Sequence, residues 1–153
     1  MFCVAFVAFD ANAFWMVDSN TPTAAQVSAD FKGKNGSLVG VLLINFISER
    51  NCNAEVAFVN FEGEKLGIPV AQELADWKMT IWVDGKVVWH EKTGINDYVN
   101  GFETGGFATN EFIDKLVKGN EVVIQPLSEP PLKFVFTLEK SGLAIDKARK
   151  NCR

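Results

Sequence analysis

Apolar and polar positions alternate with a period near two through most of this chain and shift to helical spacing near its end. Val27, Ala29 and Phe31 alternate with polar neighbours, which predicts a half-buried strand. Gly33-Lys34-Asn35-Gly36 then reads as a turn, since Asn-Gly is a strong hairpin signal. Leu38 to Ile47 is an apolar run broken by Gly40 and Asn45, so it reads as a buried central strand rather than a membrane span, which needs about 20 apolar residues. The polar break Glu49-Arg50-Asn51 separates it from a second strong strand, Ala54 to Phe61. Glu62-Gly63 turns the chain into Lys65 to Val70, and Ala71 to Asp76 reads as one helical turn.

Met79 to Val83 and Lys86 to His90 form the clearest hairpin. Asp84-Gly85 suits a type I′ turn, in which both central residues need positive φ. Val83 then faces Lys86, and Trp82 faces Val87, with Trp82 and Trp89 as diagonal neighbours on one face. Thr93 to Gly106, with four glycines, reads as a loop. Thr109 is placed to cap a helix that runs to Lys118 and ends at Gly119. Phe112, Ile113, Leu116 and Val117 share one face of that helix. Glu121 to Gln125 predicts a strand, Ser128-Glu129-Pro130-Pro131 a stiff turn, and Phe134 to Leu138 a last strand. Ser141 is placed to cap a closing helix on which Ile145, Ala148 and Cys152 face the core. The expected fold is mainly β: an antiparallel β-sandwich or small barrel of seven to nine strands, with one mid-chain helix and a C-terminal helix.

At 153 residues the chain fits one domain. Thirteen Phe and four Trp against a single Tyr are a heavy aromatic load that suits pleated, half-buried surfaces. A net charge of −4 and the lack of a basic stripe argue against nucleic acid as a partner. The densest basic stretch, Lys147, Arg149, Lys150 and Arg153, falls at a helix end, where cations complement the helix dipole.

Phe2 to Phe9 is apolar and is followed by Ala11-Asn12-Ala13, the h-region and A-x-A site of a secretory signal, with cleavage before Phe14. No Lys or Arg precedes the run, and Asp10 follows it; the competing reading is an edge strand in a cytoplasmic protein. Residues 1–13 are thus a candidate signal remnant, and 14–153 a single domain, periplasmic or secreted. Cleavage would remove Cys3 and leave Cys52 and Cys152, an even pair suited to an oxidising compartment. Their bridge would close a loop of about 100 residues, worth up to ~4.7 kcal/mol in the chain-entropy model. The alternative is two buried free thiols. With no C-x-x-C and no Cys/His cluster, neither a metal site nor a cofactor is indicated.

A family resemblance rests on the order of several segments. Met79-Thr80-Ile81-Trp82-Val83-Asp84-Gly85 is followed by Gly105-Gly106-Phe107-Ala108 and the helix Glu111 to Val117. Val122-Val123-Ile124-Gln125-Pro126 and Phe134 to Leu138 come next, and the chain closes on Ser141-Gly142-Leu143-Ala144-Ile145 through Cys152. With Trp15 to Pro22 at the start, this resembles the small periplasmic proteins associated with type VI secretion (VasI-like), and more loosely the invasion-associated locus B-like proteins. The resemblance implies an exported accessory protein and carries no catalytic residues.

Chemistry is thinly represented. His90 beside Glu91 is a candidate general base for a small hydrolase, but no nucleophile elbow accompanies it. Glu49, Glu62, Glu64, Asp84 and Glu91 offer carboxylates, all near predicted turns. The stretch from Tyr98 to Phe107 combines glycines with aromatics, and Tyr98, Asn100, Phe102 and Phe107 are the candidate binding residues. The sequence therefore favours a non-catalytic exported binding or accessory protein of the bacterial envelope, acting on a protein or envelope component. The alternatives are an inhibitor of a wall-degrading enzyme such as lysozyme and a hydrolase using His90 and Glu91.

Overall fold

A computed structural model describes residues 14–33, 36–61, 78–92, 94–98, 101–125 and 133–153. The candidate signal segment with Cys3, the Lys34-Asn35 turn centre, the Lys65 to Val70 and Ala71 to Asp76 elements, and the Ser128 to Pro131 turn lie outside these residues. Among the described residues ten strands, β1 (Met16–Val17), β2 (Ala24–Gly33), β3 (Gly36–Ile47), β4 (Asn53–Phe61), β5 (Lys78–Val83), β6 (Lys86–Lys92), β7 (Gly94–Tyr98), β8 (Gly101–Ala108), β9 (Glu121–Gln125) and β10 (Phe134–Thr137), accompany two helices, α1 (Asn110–Lys118) and α2 (Ser141–Asn151).

The strands form two antiparallel sheets. One is ordered β1-β2-β3-β4-β8-β7 and the other β10-β9-β5-β6. Among the described residues neither sheet closes on itself, so of the two expected architectures the fold is the sandwich and not the barrel. Period-two alternation drives the layering: Leu42, Ile44 and Phe46 of β3 and Val56 and Phe58 of β4 are buried, as are Met79, Ile81 and Val83 of β5, Val122 and Ile124 of β9, and Phe134 and Phe136 of β10. Phe58 joins the layers, its ring 4.8 Å from that of Phe134 and 6.4 Å from that of Phe136. Gly40 makes room for this contact, since a Cβ there would lie 2.8 Å from the Phe134 ring and 3.1 Å from the Phe58 ring. At the sandwich edge Trp15 buries its ring while its indole N–H donates to Thr137 O at 2.8 Å, tying β1 to β10.

The Asp84-Gly85 turn has positive φ at both residues, 48° and 77°, as a type I′ turn requires. The Asp84 carboxylate accepts from the backbone N–H groups of Asn120 and Glu121, each at 3.0 Å, and so pins the hairpin to the start of β9. Val83 pairs with Lys86 and Trp82 with Val87, as expected. The two tryptophans, however, do not share a face. A register shift between Ile81 and Trp82 pairs Trp89 with Ile81, so Trp89 turns into the core while Trp82 faces outward. The buried Trp89 ring meets Phe112 of α1 at 5.6 Å and lies over Gly106.

Helix α1 begins and ends where its sequence signals lie. Thr109 Oγ1 accepts from Phe112 N at 3.2 Å, and Gly119 N donates to Lys115 O at 2.9 Å. Phe112, Ile113 and Leu116 are its buried face. Ser141 departs from its expected role. Lys140, in the left-handed region at φ 64°, is the residue that enters α2. The Ser141 hydroxyl, fully buried, instead donates to Leu116 O at 2.8 Å and joins the two helices. Ala144, Ile145 and Ala148 are buried beneath α2, with Cys152 just beyond them.

Candidate functional site

Several constraints meet where β3 turns into β4. A single 3-10 turn, Ser48–Arg50, ends in two successive left-handed residues, Asn51 (φ 56°) and Cys52 (φ 58°). Such angles are uncommon for residues other than glycine and are held here by the flanking strands. Cys52 N donates to Ile47 O at 2.9 Å, and the reversal directs the Cys52 side chain at the end of α2. Cys52 and Cys152 are disulfide-bonded with Cα atoms 5.8 Å apart, so the even pair is a bridge and not two free thiols. Ser48 Oγ lies 3.5 Å from Cys152 Sγ. Asn151 Nδ2 donates to Pro22 O at 2.9 Å, and the Arg149 guanidinium sits 5.2 Å from the Phe46 ring centroid, so non-covalent contacts hold the same helix end.

Beside this turn stands the one candidate binding residue whose side chain is described. Phe107 of β8 pairs with Glu55 of β4 and is 55% exposed. The Arg50 guanidinium covers its ring at 4.7 Å from the centroid and reaches Glu55 Oε1 at 3.8 Å. An exposed aromatic stacked under an arginine combines two residue types that are enriched at protein interfaces. Arg50 was legible in the sequence only as part of a polar break; its partner ring is 57 positions away and arrives through the β4–β8 pairing.

The backbones of Tyr98 and Phe102, two of the other candidate binding residues, lie in β7 and β8. Thr93 to Gly106 was expected to be a loop, but its described residues form β7 and the start of β8. Glycine here serves close backbone approach, because a Cβ on Gly105 would run into the Val56 carbonyl of the neighbouring strand. Tyr98 pairs with Gly101, and Phe102 pairs with Asn60, a register position on the same face as Phe58 and opposite to that of Phe107. Asn100 lies outside the described residues.

His90 is exposed on β6, with Nδ1 2.8 Å from Thr80 Oγ1, its cross-strand neighbour. Residues 90 and 91 are consecutive in the strand and so belong to opposite faces of the sheet; the Glu91 side chain is outside the described set, as are Glu62 and Glu64. Asp84 is occupied by backbone N–H groups, and Glu49 is exposed. No group of three or more His, Cys, Asp or Glu residues is placed to hold a metal ion among the described residues. A cleft of about 570 Å³ opens between the Asp84 turn and α1. Val83, Val87 and Gly119 line it, and its helix side carries the Glu111–Lys115 and Asp114–Lys118 ion pairs at 2.7 and 3.9 Å. His90 is not part of it.

With this geometry the chain has a counterpart among solved structures. The fold is that of invasion associated protein B. The crystal structure of that protein from Bartonella henselae superposes with a TM-score of 0.61 over 93% of this chain and 96% of that one, at 11% sequence identity. Identity this low shows a shared fold and nothing finer. Of the two likenesses read from the sequence, this match bears on the looser one. No family model matches the chain, and no curated protein does. No helix among the described residues is long and apolar enough to cross a membrane.

Proposed function

We propose that this is a non-catalytic, exported accessory protein of the bacterial envelope that binds another protein through the surface around Phe107 and Arg50. The observation that carries the proposal is the Cys52–Cys152 bridge beside that surface. A structural disulfide belongs to an oxidising compartment, and this one holds the C-terminal helix against the turn that carries Arg50. The fold shared with invasion associated protein B is in keeping with an accessory protein. Lack of catalysis is part of the proposal, and the exposed His90, which does not line the cleft, is in keeping with it.

Export and the bridge are tested together by intact-mass measurement of the exported protein, with and without reductant and alkylation. A mass starting at Phe14, with two alkylatable thiols appearing only after reduction, is expected. Free thiols with Met1 retained would remove the export reading. Binding is tested by cross-linking in an envelope fraction with the wild-type chain and with the Arg50→Ala/Phe107→Ala double variant. An adduct that forms equally well with both would remove the proposed surface.

A further inference from the structure

The outward face of the four-stranded sheet carries an apolar stripe that crosses every strand. The strand registers align Val135 of β10 with Val123 of β9, Val123 with Trp82 of β5, and Trp82 with Val87 of β6. The two ends of the stripe are open to solvent, Val135 at 47% and Val87 at 56%, while Val123 and Trp82 are half-buried between their neighbours. Inward-facing residues of the same strands already supply the core, so fold stability does not explain apolar residues on this face. A tryptophan at the centre of a flat apolar row, with polar positions on both sides, has the composition of an interaction hot spot.

Charge around the stripe selects the partner. The Lys133 ammonium stands 4.8 Å from the Trp82 ring centroid, over the middle of the row. His90 and Thr80 form the next outward pair, and Lys78 pairs with Lys92 at the one beyond. At the opposite end the acidic groups are Glu121 and Asp84, and the Asp84 carboxylate is already engaged by the backbone N–H groups of Asn120 and Glu121. Cations thus stand along one side of the stripe, with Lys133 over its middle, in a protein whose net charge is −4. We infer that this face docks a protein segment in which acidic residues are interspersed with large apolar ones. Its apolar side chains would cover Trp82 and the three valines, and its carboxylates would meet the Lys133 ammonium over the middle of the row.

The test uses the full disulfide-bonded chain and three short synthetic peptides of equal length. One alternates Glu with Leu and Phe, one replaces the apolar residues by Ser, and one replaces Glu by Lys. Binding is measured by fluorescence anisotropy and mapped by amide chemical shifts. The acidic-apolar peptide is expected to bind at least ~10-fold more tightly than either control, a difference of about 1.4 kcal/mol, with shifts clustered at Val87, Val123 and Val135. Val87→Ser/Val135→Ser should weaken it, and Lys133→Glu should bring the basic peptide to the same level or above. Far-UV circular dichroism checks that these surface variants keep the fold. The inference is overturned if the three peptides bind alike, if shifts map elsewhere, or if a single-stranded oligonucleotide binds as tightly as the acidic-apolar peptide. It is also overturned if the wild-type chain self-associates through this face, because a second copy would then be its occupant.

Discussion

Cys52 and Cys152 are bonded across 100 residues of sequence, and their bridge fastens the last helix to the turn that carries Arg50. Ser48, Asn151 and Arg149 hold the same corner by other contacts, so the helix end stays docked by packing as well as by covalent closure. Replacing Cys152 by Ala is therefore expected to lower stability without abolishing the fold, by about 2–5 kcal/mol, mainly by freeing the unfolded chain. Guanidinium unfolding without reductant measures this. A loss below about 1 kcal/mol would mean that the bridge closes a loop already restricted in the unfolded state.

Ser141 donates its hydroxyl to the Leu116 carbonyl from a fully buried position. Ser141→Ala would leave that carbonyl without its donor and is expected to cost about 1–3 kcal/mol, the penalty for a buried polar group left unsatisfied. Were Ser141 acting as an exposed helix cap, Ser141→Asp would be tolerated. Burial predicts instead that the aspartate is the worse of the two in thermal unfolding.

Gly40 faces two aromatic rings across the sandwich. A Gly40→Ala substitution must displace Phe134 or Phe58 and should destabilise by about 1–3 kcal/mol through overpacking. Combined with Phe134→Leu, part of that cost should disappear, so that the double variant is less destabilised than the sum of the singles. Strict additivity in denaturant titrations would contradict the proposed packing.

On the exposed face of α1, the Lys115 ammonium bonds Glu111 at 2.7 Å, and this hydrogen bond and charge hold the Glu111 carboxyl below its ordinary range. A carboxylate whose folded pKa is depressed stabilises the fold above its unfolded pKa, and that contribution fades as pH falls through the folded value. NMR titration should show Glu111 titrating below other exposed glutamates, returning to the ordinary range in Lys115→Ala and in high salt, since the pair is open to solvent.

Much of the local structure was legible in the sequence, because strand period, turn chemistry and helix capping are decided within a few residues. Val27 to Phe31, Leu38 to Ile47 and Ala54 to Phe61 lie in strands, Asp84-Gly85 turns with positive φ, Thr109 caps α1, and Ile145, Ala148 and Cys152 face inward. Reading residues 1–13 as a cleaved signal left Cys52 and Cys152 as the pair, but could not choose between a bridge and two thiols. That choice depends on α2 meeting the β3–β4 turn, a contact between chain segments 100 residues apart.

Only the tertiary structure decided how strands divide between sheets. After β4 the chain leaves for β5 and β6 in the other sheet, and β8 returns to pair with β4. Local sequence carries no record of such long-range partners, since the same alternating strand satisfies its backbone beside any neighbour of suitable pattern. For that reason Gly105, which resembles a loop glycine in sequence, is a strand residue fitted against Val56 and Ala57. The register shift beside Trp82 likewise turned one tryptophan into the core and left the other on the outer face under Lys133. Composition and period determined that this protein is a layered β structure; which residues became surface, and which of those lie together, was settled by strand pairing and by the packing of one layer on the other.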